Sequence, residues 1–298
     1  MSLLLAGDIG GTNCRLALFA DGRLLRRQIA DTEGAGVLGP LRRFVGDDDI
    51  SGACLAVAGP VVDGHATLTN HRWSFHADEL AEALGCPARV VNDFHAAARG
   101  VRALGPDGWR SLNGVDPEPG VAVVLGPGTG LGQALLLADD SVVPGEGGHA
   151  DFAPNSEEQL RLWRHLSERH GHVSLERVLS GQGLLDLHAF FRNEGLGGPV
   201  PSSPTEVSIG DDDAAIAARR CFVEVLGAQA GNLALQFLPA GGVWLCGGIP
   251  PRLDLQGVVE AFTHKGRFSE RIERVPLCLV TDPRLGLLGA AALAAEVV

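Results

Sequence analysis

Gly7-Asp8-Ile9-Gly10-Gly11-Thr12-Asn13 follows a short apolar run at residues 3–6 and precedes a second at residues 16–20. The pattern reads as two antiparallel strands joined by a glycine turn, and Asp21-Gly22 then folds the chain into a third strand over residues 23–29. The dinucleotide fingerprint joins a strand to a helix, and the Walker phosphate loop ends in Gly-Lys-Ser/Thr. This stretch does neither. The pattern recurs further along: a strand at 121–125, the turn Gly126-Pro127-Gly128-Thr129-Gly130, and a strand at 131–138 ending in Asp139-Asp140. Thr12 and Thr129 lie 117 residues apart. Strand, glycine turn, strand, hairpin, strand, met twice, predicts an internal duplication. The plainer reading is two unrelated hairpins.

Between the two turns, residues 37–44 have helical spacing and residues 53–58 read as a buried strand. A helix is expected at 77–84, a short strand at 89–91 and a helix at 94–104, with Asn92-Asp93 at the junction. Strands alternating with helices place the chain in the α/β class. Residues 106–120 are rich in Pro, Gly and Asp and read as a crossing between two lobes. Beyond the second turn, helices are expected at 156–170, capped by Asn155 or Ser156, and at 174–179. Residues 195–204 read as a surface loop, and Asp211, Asp212 and Asp213 stand at the positive end of a long helix over 214–238. Strands at 242–246 and 277–280 and an alanine-rich helix over 285–298 complete the pass.

The 298 residues suffice for two domains or lobes, and 45% apolar residues supply real cores. The net charge of −12 repels nucleic-acid phosphates and anionic lipid, although a nucleotide can still be held by backbone N–H groups and a divalent cation. The six cysteines form no Cys-x-x-Cys pair and most sit in apolar runs, which points to buried thiols in a reducing compartment and to no structural zinc. The N-terminus has no basic leader and reaches Asp8 almost at once. No apolar stretch attains the roughly 20 residues of a membrane span. The expectation is a cytoplasmic protein.

Four constellations could carry chemistry. The glycines of 7–13 let backbone approach phosphate oxygens, and Asp8 can hold a hydrated Mg²⁺; the alternative is a plain hairpin with Asp8 forming an Asx turn. Gly128 and Thr129 of the second turn offer the same chemistry, whereas Gly247-Gly248, a turn at the end of an apolar strand, could pack under a purine or could simply lead the strand into a helix. Asp93 is either a general base for a sugar hydroxyl, oriented by Asn92, or a helix cap. Gly145-Glu146-Gly147-Gly148-His149 sets a carboxylate and an imidazole three residues apart, suited to vicinal sugar hydroxyls. A solvent loop, or a metal site with Asp151, remain open readings. Glu176 alone is a helix-surface acid, and Asn70 a further hydroxyl partner.

In order along the chain, GDIGGTN, TNHRW, VVNDFHAAARG, GPGTGLG, PGEGGHADFAPNSEE, GHVSLERVLSG, GNLAL and KGRF resemble the segments of the bacterial ATP-dependent glucokinases, within the hexokinase/actin-like/Hsp70 ATPase superfamily. The resemblance spans almost the whole chain. It implies a two-lobed, actin-like (ribonuclease H-like) α/β fold with duplicated mixed sheets and a central cleft. Residues 1–104 with helix 285–298 would form a small domain, and 105–284 a larger one. It implies transfer of the ATP γ-phosphoryl group to the 6-hydroxyl of glucose, with Mg²⁺, in a homodimer. Asp93 falls on the family's base, and Asn92, Glu146, His149 and Glu176 on its glucose contacts. Gly7, Asp8, Ile9, Gly10, Gly11 and Thr12, with Gly128, Thr129, Gly247 and Gly248, fall on the nucleotide segments.

Pro127 departs from the family's small residue and raises the prospect of a lost phosphate donor. The ROK sugar kinases, with their cysteine-rich zinc motif, fit less well, because no cysteine lies between Cys86 and Cys221. Other readings are a kinase for another hexose or N-acetylhexosamine, a non-catalytic sugar-binding regulator, and an ATPase serving a protein partner. A regulator would need a DNA-binding element, and the chain opens directly on its first strand.

Overall fold

A computed structural model describes residues 2–10, 13–31, 36–68 and 73–298. The chain divides into two compact units, one of residues 1–108, 142–144 and 282–298, the other of residues 109–141 and 145–281.

The first unit is built on a five-stranded sheet. Strands β1 (Leu3–Ile9), β2 (Asn13–Ala20) and β3 (Arg23–Asp31) form an antiparallel meander. The β2–β3 turn puts Asp21 and Gly22 at φ 48° and 74°, the left-handed pair that matches the twist of a tight hairpin. After α1 (Leu38–Val45) comes β4 (Gly52–Val57). A small antiparallel sheet follows, of β5 (Val61–Val62), β6 (His65–Leu68) and β7 (Trp73–His76). Then come α2 (Ala77–Leu84), β8 (Ala88–Asn92) and α3 (Asp93–Val101). The large sheet runs β3-β2-β1-β4-β8, with β4 parallel to β1 and β8 parallel to β4. Alternate side chains leave opposite faces of a strand. Leu5 and Ile9 of β1 therefore pack with Leu41, Phe44 and Leu80 from α1 and α2. Leu4 and Ala6 pack with Leu287, Ala290 and Leu293 of the C-terminal helix.

The second unit repeats this succession. It begins with β9 (Trp109–Ser111), then β10 (Ala122–Pro127) and β11 (Leu131–Leu136); β12 (Val142–Gly145), next in the chain, belongs through residues 142–144 to the first unit. Helices α4 (Glu157–His170), α5 (Gly181–Asn193), α6 (Pro204–Ile209) and α7 (Asp213–Phe237) follow. The unit closes with β13 (Val243–Leu245), α8 (Val258–Thr263), α9 (Ser269–Ile272) and β14 (Leu277–Val280). Helix α10 (Leu285–Ala295) belongs to the first unit. The sheet order is β12-β11-β10-β13-β14-β9, with β13 and β14 parallel to β10. In both sheets an antiparallel strand leads off the glycine turn, and the next strands add in parallel on the other side. The duplication inferred from the two turns is present in the topology.

Local chemistry explains the elements. The side chain of Asp212 caps α7 by accepting from Ala215 N at 2.9 Å, and Ser156 caps α4 by accepting from Gln159 N at 3.1 Å. Helix α7 is apolar nearly all round and sits in the core of its unit, with Phe222 and Leu226 fully buried. The helix expected at 174–179 is instead a single 3₁₀ turn, Leu175–Arg177. Ser180 then starts a new helix, α5, by accepting from Gly183 N at 3.0 Å. The segment 106–120 is more than a crossing. It carries β9, and Asn113 ties it to the neighbouring strand by donating to Val275 O (2.8 Å) and accepting from Leu277 N (3.1 Å). Among the described residues no helix is long and apolar enough to cross a membrane.

Candidate functional site

The candidate residues fall in both units.

In the first unit, β1, β4 and β8 run parallel, so their C-terminal ends share one edge of the sheet. Ile9 lies beside Val57, and Val57 beside Asn92. The end of β1 is therefore two interstrand spacings, about 10 Å, from the start of α3. Gly7 sits in mid-sheet, where an added Cβ would stand 2.4 Å from Leu55 Cδ2, so its small size serves packing. Ile9 is fully buried and its carbonyl accepts from Ala58 N at 3.0 Å, which leaves it no side chain to offer a ligand. Gly10 lies at the mouth of the turn. Gly11, Thr12 and Asn70 lie outside the described residues.

Asp8 Oδ2 accepts from Arg15 Nη1 at 2.9 Å, and its side chain is 21% exposed. Gly286, in the first turn of α10, leaves room beside it: a Cβ there would be 3.5 Å from Asp8 Cγ. Among the described residues no group of three or more His, Cys, Asp or Glu could hold a metal ion. Mg²⁺ that arrives on a nucleotide keeps phosphate and water ligands and needs one or two carboxylates. Asp8 fits that requirement, and a resident ion would need more donors than the described residues bring together.

Asn92 is the N-cap of α3. Its Oδ1 accepts from Phe94 N at 2.8 Å and its Nδ2 donates to Gly59 O at 3.1 Å. An amide has a second N–H and a second lone pair, so capacity for a sugar hydroxyl remains. Asp93 Oδ1 also accepts from Phe94 N, at 2.9 Å. The capping conformation belongs to Asn92, and Asp93 is the first residue of the helix, half-buried at its positive end.

In the second unit the glycine turn is closed by Gly128 N donating to Gly130 O at 2.8 Å, and Gly128 O accepts from Gly181 N at 2.8 Å. Added Cβ atoms at Gly128 and Gly248 would meet nothing within 4 Å, and Thr129 is exposed, so this face is open to a ligand. Gly247 must be glycine. Its φ is +86°, and a Cβ would stand 2.3 Å from Pro127 O. The Pro127 departure has a geometric resolution. Val123 N donates to Gly242 O and Leu125 O accepts from Cys246 N, so odd-numbered positions of β10 turn their backbone groups toward β13. By the same alternation the nitrogen of residue 127 faces β13 and is not aimed at a phosphate.

The loop 145–149 lies against β11. A Cβ on Gly147 would be 1.6 Å from Gln133 Nε2, and one on Gly148 would be 2.0 Å from Leu131 O. At Gly148 the obstacle is backbone, so only glycine lets the loop come this close. It thereby presents Glu146 and His149 outward, 79% and 61% exposed, with Oε2 and Nε2 3.9 Å apart. Asp151 does not join them. It lies 2.8 Å from His172 Nε2, which removes the basis for a Glu146–His149–Asp151 metal site. Glu176 turns back on the glycine turn: its Oε2 accepts from Leu131 N at 2.8 Å, and a Cβ on Gly130 would stand 2.5 Å from that oxygen. Leu131 and Gln133 carry no signal in the sequence. Gln133 Oε1 is buried, with no hydrogen-bond partner among the described residues.

A family model described as glucokinase matches residues 5–297. The glucokinase of Yersinia pestis (strain Pestoides F) is 36% identical over 306 residues, covering 97% of this chain and 95% of its own. Among solved structures, a glucokinase from an Antarctic psychrotroph superposes with a TM-score of 0.87 at 32% identity over 99% of both chains. The glucokinase of Balamuthia mandrillaris in complex with glucose has a TM-score of 0.81 at 24% identity, covering 99% of this chain and 94% of that one, a likeness of fold. The duplicated mixed sheets, the glycine turns and a family match over nearly the whole length agree: the chain belongs to the glucokinase family.

Proposed function

We propose that this protein transfers the γ-phosphoryl group of ATP to the 6-hydroxyl of D-glucose, giving glucose 6-phosphate and ADP. The observation that carries the mechanism is the placement of Asn92-Asp93 on the same sheet edge as the end of β1, at the positive end of α3. Asp93 accepts the proton of the 6-hydroxyl as that oxygen bonds to the γ-phosphorus. The bond from phosphorus to the β–γ bridging oxygen breaks, and ADP leaves with the electron pair. Asn92 orients the sugar through the amide valences that its cap leaves unused. Glu146, His149 and Glu176 bind further hydroxyls, and Asn70 is assigned to the same sugar.

The backbone of Gly10, Gly11 and Thr12, with Gly128, Thr129, Gly247 and Gly248, is assigned to the nucleotide, and Gly7 and Ile9 support that turn from within β1. Mg²⁺, when bound, neutralises charge on the β- and γ-phosphates. Asp8 would hold the ion through its water ligands, and Arg15, 2.9 Å from Asp8 Oδ2, shares the Asp8 charge. Two lobes, residues 1–104 with 285–298 and residues 105–284, closing over a cleft to exclude water, belong to the same proposal. So do a homodimer and a cytoplasmic location.

The test is ATP consumption with Mg²⁺ across glucose, mannose, fructose, N-acetylglucosamine and no sugar, with the phosphorylated position identified. Glucose-dependent turnover to the 6-phosphate supports the proposal. Preference for another sugar would move it to another hexose kinase, and sugar binding without turnover would move it to a regulator.

A further inference from the structure

Leu131 is the first residue after the second glycine turn, and two parts of the sugar-binding set rest on it. The carboxylate of Glu176 accepts from its N–H, and Gly148 of the 145–149 loop packs on its carbonyl. Three further backbone bonds knit the same region. Leu175 N donates to Ala150 O at 2.9 Å and Phe152 N to Val173 O at 2.9 Å, the pair that makes the Asp151–Ser174 bridge, and Gly181 N donates to Gly128 O at 2.8 Å. The segment that carries Glu176 is thus tied at one end to the sugar loop and at the other to the glycine turn. Glu176 uses one carboxylate oxygen on Leu131, and its other oxygen has no hydrogen bond among the described residues.

We infer that Glu176 is a positioning residue for the phosphate turn as well as a sugar contact: it couples glucose binding to nucleotide binding within the second unit. The inference rests on the proposed assignment of these residues to sugar and nucleotide. A carboxylate has two oxygens with about four acceptor positions. A sugar hydroxyl donating to Oε1 holds the group still, and Oε2 then holds Leu131 N and the adjoining Gly130 in one arrangement. A nucleotide on the turn meets a preset Gly128-Thr129-Gly130 backbone and does not have to order it. By linkage, nucleotide on the turn must fix Glu176 for the sugar to the same degree.

The experiment is calorimetric titration of glucose into the purified full chain, with and without saturating Mg²⁺ and a β,γ-imido ATP analogue. The wild type should bind glucose at least about fivefold more tightly with the analogue present. Gly130→Ala is the first variant. Its backbone lies outside the left-handed region, so alanine meets no conformational strain, but the new Cβ displaces Glu176 Oε2 from 2.5 Å. Its tightening ratio should fall to near one. Glu176→Asp, too short to reach both partners, should behave likewise. Glu176→Gln keeps a carbonyl oxygen for Leu131 N, so it should bind glucose more weakly and yet retain most of the ratio. A general loss of structure would not produce that rescue. Glucose binding whose affinity ignores the analogue in the wild type, or a ratio unchanged in Gly130→Ala, overturns the coupling alone. No glucose binding by the wild type overturns the proposed function with it.

Discussion

Replacing Gly289 by alanine tests how the first unit holds Asp93. Helices α3 and α10 cross at glycines. A Cβ on Gly289 would stand 1.7 Å from Ala96 O and 2.7 Å from Gly100 N, and one on Gly100 would stand 2.2 Å from Leu285 O. Both obstacles at Gly289 are backbone, so no side chain can swing aside. A tolerable carbon–oxygen contact is near 3.3 Å, so α10 must back away by about 1.6 Å. That lifts Leu287 and Leu293 from their packing against β1 and β4. Overpacking of this kind costs about 1–3 kcal/mol, and the rigid neighbours argue for the upper half. For a protein of this size the midpoint should fall by roughly 3–5 °C. Because α3 begins at Asp93, kcat/KM should also fall, by up to about 100-fold for a displacement near 1 Å. Gly286→Ala on the same helix is the stability control. Its Cβ meets only Asp8, at 3.5 Å, an ordinary contact, so its midpoint should stay within about 1 °C or rise with the better helix former. Thermal unfolding followed by circular dichroism decides the matter. Equal midpoints for wild type and Gly289→Ala would refute the close crossing.

Burial, then the Arg89 and Arg99 charges, hold His95 below its ordinary pKa of 6.5, with Glu296 opposing. The unfolded chain therefore takes up this proton first, so the His95 contribution to stability is complete above pH 6.5 and is lost as pH falls through the lower folded value. Urea unfolding of His95→Gln should vary less between pH 7 and 5 than the wild type, and parallel curves would reject the assignment. All six cysteines are buried, and burial pushes the Cys14, Cys54 and Cys278 thiols up to about 12. The thiolate is the reactive form, so a thiol reagent at pH 8 should label none in the folded protein and six in denaturant. Glu146→Ala removes a carboxylate that is 79% exposed and 3.9 Å from the exposed His149 imidazole, so glucose KM should rise about tenfold or more while the melting temperature stays put. An unchanged KM would take Glu146 out of the sugar set.

Much of the architecture was legible because it rests on local rules. Glycine turns between alternating strands marked both meanders. Asp21-Gly22 announced its hairpin through left-handed φ values that Asp and Gly tolerate. Asp212 and Ser156 acted as the caps their chemistry allows. What escaped depends on residues far apart in the chain. Strand β9 exists because it pairs with β14, more than 160 residues away, and its own sequence is a Pro- and Gly-rich connection. Helix α5 opens on Gly181 and Gly183, poor helix formers, and is held by the Ser180 cap and by burial of Leu184, Leu187 and Phe191. Glu176 looked like a surface acid, since its partner, Leu131 N–H, is a backbone group 45 residues earlier. Pro127 looked like a lost phosphate donor until the ladder showed which way that nitrogen points.

The most direct test of the account compares wild type with Asp93→Asn, which keeps the shape of the side chain and its bond to Phe94 N but removes the base. Glucose affinity from titration and kcat for sugar-dependent ATP turnover are measured on the same preparations. The account predicts glucose affinity within a few-fold of wild type and kcat lower by about 10²–10⁴. A kcat near that of the wild type, with glucose 6-phosphate still formed, would contradict it.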